Sequence, residues 1–142
     1  MKEELIKKIR SALENSEDLI GKAATDTEIL NAENLLNVKF NKEYVEFIKI
    51  FGGAFCGINI HAFSNGFLIG KSTVVDLTIK FRQTQSENIS SEIKEMYVIS
   101  DDGSGNPILM NSQGNIFLFL HETGEIEVLY NSLYDLIDLS FP

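Results

Sequence analysis

The stretch Ser100–Leu109, SDDGSGNPIL, decides how the second half of the chain is read. Two adjacent aspartates run into Gly-Ser-Gly-Asn behind the apolar run MYVIS (96–100). This is either a loop that holds a ligand or a turn between two strands. A calcium loop of the EF-hand type needs oxygen ligands at alternate positions 1, 3 and 5, a glycine at 6 and a glutamate at 12. Counted from Asp101, positions 3 and 5 are Gly103 and Gly105, which carry no ligand. Counted from Asp102, Ser104 and Asn106 fill them, but Pro107 follows at 6 and no glutamate stands at 12. Ser104 is no nucleophile elbow, since Asp102 and Asn106 stand where that motif needs glycine. A turn explains every residue. Asp and Asn bond their own backbone, Gly supplies positive φ, and Pro opens the next strand.

Reading outward from that turn, PILMN (107–111), IFLFLH (116–121) and EIEVLY (125–130) follow, broken by SQGN (112–115) and ETG (122–124). Short apolar runs joined by glycine-containing turns predict an antiparallel meander. IFLFL is apolar on both faces and is expected to be the central, fully covered strand. Asn131 or Ser132 then caps a last helix, LYDLIDL.

Toward the N-terminus the period changes to that of helices. Leu5, Ile6, Ile9, Ala12 and Leu13 share one face. Asn15 to Ala24 is polar and looped. Thr25 with Glu28 has capping-box spacing, and Ile29, Ala32, Leu35 and Leu36 form the stripe behind it. Asn41 caps a third helix, with Phe40 and Val45 at staple spacing and Tyr44, Phe47, Ile48 and Phe51 as its stripe. Gly52 and Gly53 end it. GINIHAF (57–63) reads as a strand. Val74, Leu77, Thr78 and Phe81 predict a helix over 74–84. The sum is α+β: one domain over 1–142, an antiparallel β-meander covered on one face by the N-terminal helices, with a C-terminal helix.

The composition is globular, 44% hydrophobic and 23% charged. No apolar run reaches the ~20 residues that span a bilayer. MKEELIKKIRSALE interleaves charge with apolar residues, unlike a signal peptide, so a cytoplasmic location is expected. The single cysteine, Cys56, is expected to be a buried thiol. Net charge is −9, unevenly spread. Lys94 is the last basic residue, and from position 101 onward stand Asp101, Asp102, Glu122, Glu125, Glu127, Asp135 and Asp138. Such a one-sign field disfavours nucleic acid and membrane surfaces and can steer a basic protein.

Two further motifs imitate chemistry. GFLIGKST (66–73) has three residues, Phe, Leu and Ile, where a phosphate-binding loop needs four, and no parallel βαβ frame surrounds it. His61 and His121 lack cysteines or close spacing and make a poor metal pair. No catalytic residue, cofactor or metal ligand is nominated.

EILNAENLLNVKFNKEYVEFIKIFGG and VISDDGSGNPILMNSQGNIFLFLHETGEIEVLYNSLYDLI, taken in order, resemble the SUKH superfamily over about residues 26–140. That group includes fungal cell-wall-assembly regulators and bacterial immunity proteins. The first stretch is similar to its helix, its Pro-x-x-Tyr helix start and its closing Gly-Gly. The second is similar to its Gly-rich turn, glycine hairpin, His-x-x-x-Gly-x-Ile turn and terminal helix. Asn41 stands where the family often has proline, and asparagine caps a helix equally well. The resemblance implies a non-catalytic protein-binding domain, foremost an immunity protein that neutralises a toxin of a polymorphic toxin system, often a nuclease, by direct binding. The seven acids from Asp101 to Asp138 are then the expected contacts for a basic toxin domain. A regulatory scaffold that binds a host protein is the alternative, and a small nucleotide-binding enzyme built on GKST and SDD is a remote one.

Overall fold

The computed structural model describes residues 2–87 and 89–141. In chain order its elements are α1 (Lys2–Leu13), α2 (Asp26–Leu36), α3 (Lys42–Phe51), β1 (Ala54–Phe55), β2 (Asn59–Ile60), α4 (Val74–Thr84), β3 (Tyr97–Asp101), β4 (Pro107–Met110), β5 (Ile116–Phe119), β6 (Ile126–Tyr130) and α5 (Leu133–Ser140). The architecture is α+β, as the periodicities predict.

The helices begin where the sequence places donor-satisfying side chains. Thr25 and Glu28 form a reciprocal capping box on α2, and Thr73 and Asp76 form another on α4. The Asn41 carboxamide accepts the Glu43 N–H at α3, and the Ser132 hydroxyl accepts the Asp135 N–H at α5. Gly52 ends α3 with φ +62, and a Cβ there would lie 2.2 Å from the Lys22 carbonyl oxygen. That position demands glycine on two counts.

The four long strands form an antiparallel meander in the order β3-β4-β5-β6. Side chains alternate across it. Tyr97, Ile99, Ile108, Met110 and Ile116 face the main core, beneath buried residues of α1, α2, α3 and α5. Val98, Leu109, Phe117 and Phe119 face a second, smaller cluster with Phe81 of α4, Ile93 and Met96. The N-terminal helices thus cover one face, and α4 adds cover on the other. IFLFL is apolar on both sides because both sides are covered.

The small β1–β2 sheet departs from expectation. Only Asn59 and Ile60 of GINIHAF are strand, paired with Phe55 and Ala54. The run ends because the His61 N–H donates to the Ile99 carbonyl of β3, and the Ala62 N–H donates to the Asn65 side chain, which starts a turn. Leu35 and Ala12 lie outside the helix stripes assigned to them and are exposed. Leu35 sits about 100° round the helix from buried Leu36.

The two edges of the meander differ. At β3 the Val98 N–H donates to the Thr78 hydroxyl of α4 at 2.9 Å, and the Ile99 carbonyl is taken by His61 at 2.9 Å. β6 has no neighbouring strand on its outer side among the described residues.

Candidate functional site

DDGSGN is a turn whose polar groups are spent on one another. The Asp101 carboxylate accepts the Gly103 N–H at 2.7 Å. The Asp102 carboxylate accepts the Ser104 N–H at 2.8 Å, the Asn106 N–H at 3.1 Å and the Asn106 amide at 2.9 Å. Gly103 and Gly105 have φ of +82 and +90, the freedom the turn reading requires. The Asn106 side-chain amide, followed by the Ser104 N–H, holds the Asp102 carboxyl below its ordinary value.

Asn106 also reaches across to the β5–β6 turn. Its side-chain oxygen accepts the His121 N–H at 3.0 Å and lies 2.6 Å from His121 Nδ1. Since the Asn106 Nδ2 faces Asp102, this ring nitrogen carries a proton and donates. The β5–β6 turn closes with Gly124 at φ +79 and its N–H on the Leu120 carbonyl at 2.7 Å. The two turns therefore form one end of the sheet. Asp101, Asp102, Glu122 and Glu125 are gathered there, all exposed, and Glu127 follows one strand position beyond Ile126.

Asp135 and Asp138 stand elsewhere. Tyr130 pairs with Ile116, at the end of the sheet away from those turns, and α5 starts three residues later. Both aspartates line a groove of about 350 Å³ with Lys2, Glu4 and Lys8 of α1 and with Glu43 and Tyr134. Charges of both signs meet there. The Tyr134 hydroxyl donates to the Glu46 carboxylate, and Lys2 Nζ lies 2.9 Å from the same carboxylate. Burial opposes ionisation of Glu46, but Tyr134 and Lys2 outweigh it and hold its carboxyl low. Burial, then Glu46, pushes the Tyr134 phenol up. Glu43 accepts the Leu133 N–H at 3.0 Å, capping α5 from α3. The seven acids thus divide between an exposed acidic end and a groove with basic residues in its wall. An eighth acid beyond the last lysine, Glu95, lies on the short 3₁₀ turn Ile93–Glu95.

Residues 23–139 match the model of the SMI1 / KNR4 family (SUKH-1). The chain belongs to this family. The match runs from just before the α2 capping box into the last turn of α5 and takes in both turns of the acidic end, whereas α1 precedes it. No curated protein matches the chain.

Within the SUKH-1 fold the other motifs are committed to architecture. GFLIGKST forms a single 3₁₀ turn, Phe67–Ile69, between Gly66 and Gly70. The Asn65 amide binds the carbonyls of Gly70 and Ser72, and Thr73 caps α4. Phe67 is 81% exposed where a phosphate loop would present backbone N–H groups. His61 is buried with Nδ1 2.8 Å from the Ser72 carbonyl, so that nitrogen also carries a proton. Cys56 is fully buried, and burial pushes its thiol up to about 12, far from a nucleophile's range. Among the described residues no His, Cys, Asp or Glu group of three or more is arranged to hold a metal ion. None of their helices is long and apolar enough to cross a membrane.

Sequence reasoning did not find Glu43, Glu46 or Tyr134. The hydrogen bonds that join them to one another and to Leu133 span 88 to 91 residues, beyond any local signal.

Proposed function

We propose that this protein is a cytoplasmic immunity protein that neutralises a basic toxin domain, such as a nuclease, by binding it directly. The observation that carries the reading is the acidic end. Four exposed carboxylates stand on two turns that hydrogen bonds lock together, and no lysine or arginine follows Lys94 in the sequence. Preformed turns lose little entropy on binding. A one-sign field raises the rate at which an oppositely charged surface is captured. A nuclease presents such a surface because it must hold phosphates. Membership of the SUKH-1 family supports the same reading, because its domains generally bind proteins.

Co-expression tests it. Cells carrying the toxin domain encoded beside this protein should survive when it is present and die when it is absent, and the purified pair should form a stoichiometric complex. Survival without complex formation, or no protection at all, contradicts the proposal. Recovery instead of a complex with a host protein encoded elsewhere in the genome favours a regulatory scaffold.

A further inference from the structure

We propose that the open edge of β6 is the toxin-docking element, and that it takes an extended segment of alternating basic and apolar residues as a fifth strand of the sheet. This rests on the immunity reading and locates its interface. In the β5–β6 hairpin the Leu120 N–H bonds the Glu125 carbonyl, and Leu118 pairs with Glu127. Bonded pairs alternate in an antiparallel ladder, so the N–H and C=O of Ile126 and Val128 point away from β5. Among the described residues no strand or side chain takes them. The opposite edge is closed by Thr78 and His61. An unpaired edge is a template for strand addition unless something blocks it. β6 has no proline and no lysine, and no strand lies on its outer side among the described residues.

The side chains specify the occupant. Glu125 and Glu127 are two apart and share one face. Val128 lies on the other face, 64% exposed, beside the partly buried Ile126. An incoming strand therefore meets carboxylates on one side and a branched apolar surface on the other. A second copy of this chain fits poorly. Pairing Ile126 with Val128 of the copy sets Glu127 directly opposite its own counterpart, and like charges across a strand pair are destabilising. The bonding pattern favours an added strand, and the charge favours a basic one.

The probe is a short capped peptide alternating lysine and valine, compared with the same peptide N-methylated on every backbone amide, so that neither edge can pair, and with a glutamate–valine version. The readout is amide hydrogen exchange in the intact protein. The lysine–valine peptide should slow exchange at Ile126 and Val128 at least tenfold. The other two should not, since N-methylation keeps the charge but removes strand pairing. V128P, which removes an outward N–H at an edge position that tolerates proline, should lose the peptide and protect cells at least tenfold less. Equal binding of the N-methylated peptide, or no protection at Ile126 and Val128, overturns the proposal. V128P protecting cells like the wild type overturns the edge as docking element while leaving the immunity reading standing. Failure of the wild type to protect overturns that reading, and the peptide exchange then still decides whether the edge accepts a basic strand.

Discussion

The two ends of the meander are built from similar turn residues and used differently. At one end SQGN is stapled to the helical layer. The Asn41 amide donates to the Ser112 carbonyl at 3.1 Å while its oxygen caps α3, and the Asn41 N–H donates to the buried Tyr97 hydroxyl at 2.9 Å. A Cβ on Gly114 would lie 3.0 Å from that same amide. At the other end DDGSGN and the β5–β6 turn bond within themselves and, through Asn106 and His121, to each other, and face solvent. Glycine and Asx residues thus serve core assembly where a helix terminus is near, and surface presentation where none is. The charge follows: neutral amides at the stapled end, four carboxylates at the free end.

That contrast predicts that damage at the stapled end costs more stability than damage at the free end. The largest effect is expected for Asn41→Ala. It removes a helix cap and the Ser112 bond together, so chemical denaturation should show a loss of about 2–3 kcal/mol. Gly105→Val comes next. Its φ of +90 excludes a β-branched residue, and a Cβ would meet the His121 ring at 3.5 Å. A loss of roughly 1 kcal/mol or more is expected, with native chemical shifts kept at Asn41 and Tyr97. An equal loss from the two substitutions would erase the contrast.

A smaller effect separates the turn from a metal loop. The folded Asp102 carboxyl lies below 3.8, so its contribution is present above that value and is lost as pH falls through the lower folded one. Asn106→Ala removes its largest hydrogen-bond partner and should move the Asp102 titration, followed by carbon NMR, up toward 3.8. The smallest effect belongs to Asp101→Asn, which should leave the melting temperature nearly unchanged. Calcium or magnesium at stoichiometric concentration should leave the wild-type melting temperature unchanged as well, and a rise would show that DDGSGN is a metal site.

How much of this was legible in the sequence follows the range of the interactions. The DDGSGN turn, the Thr25–Glu28 box, the Asn41 cap and helix 74–84 are set by residues within a few positions of one another, and the sequence predicts each of them. The second cluster was hidden inside continuous apolar runs. MYVIS and IFLFL are apolar at every position or nearly so, and only the folded chain shows that Val98 and Phe117 face Phe81 while Tyr97 and Ile116 face the helices. GINIHAF has a strand's composition, but a turn organised by Asn65 interrupts it. For the candidate site, the sign of the charge was legible and its division was not. Asp135 and Asp138 are close in sequence to Glu127, yet they line the groove with Lys2 and Lys8, which come from the first turns of the chain.

The proposed function requires the acidic end, and not the α1–α5 groove, to steer the partner. Its most direct test is the association rate with the basic toxin domain, followed by stopped flow across ionic strength. Glu122→Lys with Glu125→Lys should slow association tenfold or more at low salt, with the fold intact. The gap should close as the Debye length falls from ~30 Å at 0.01 M to ~3 Å at 1 M. Asp135→Lys with Asp138→Lys, the same change in net charge placed in the groove, should slow it much less. A wild-type rate for the turn pair, or a larger loss from the groove pair, would show that the acidic end does not steer the partner.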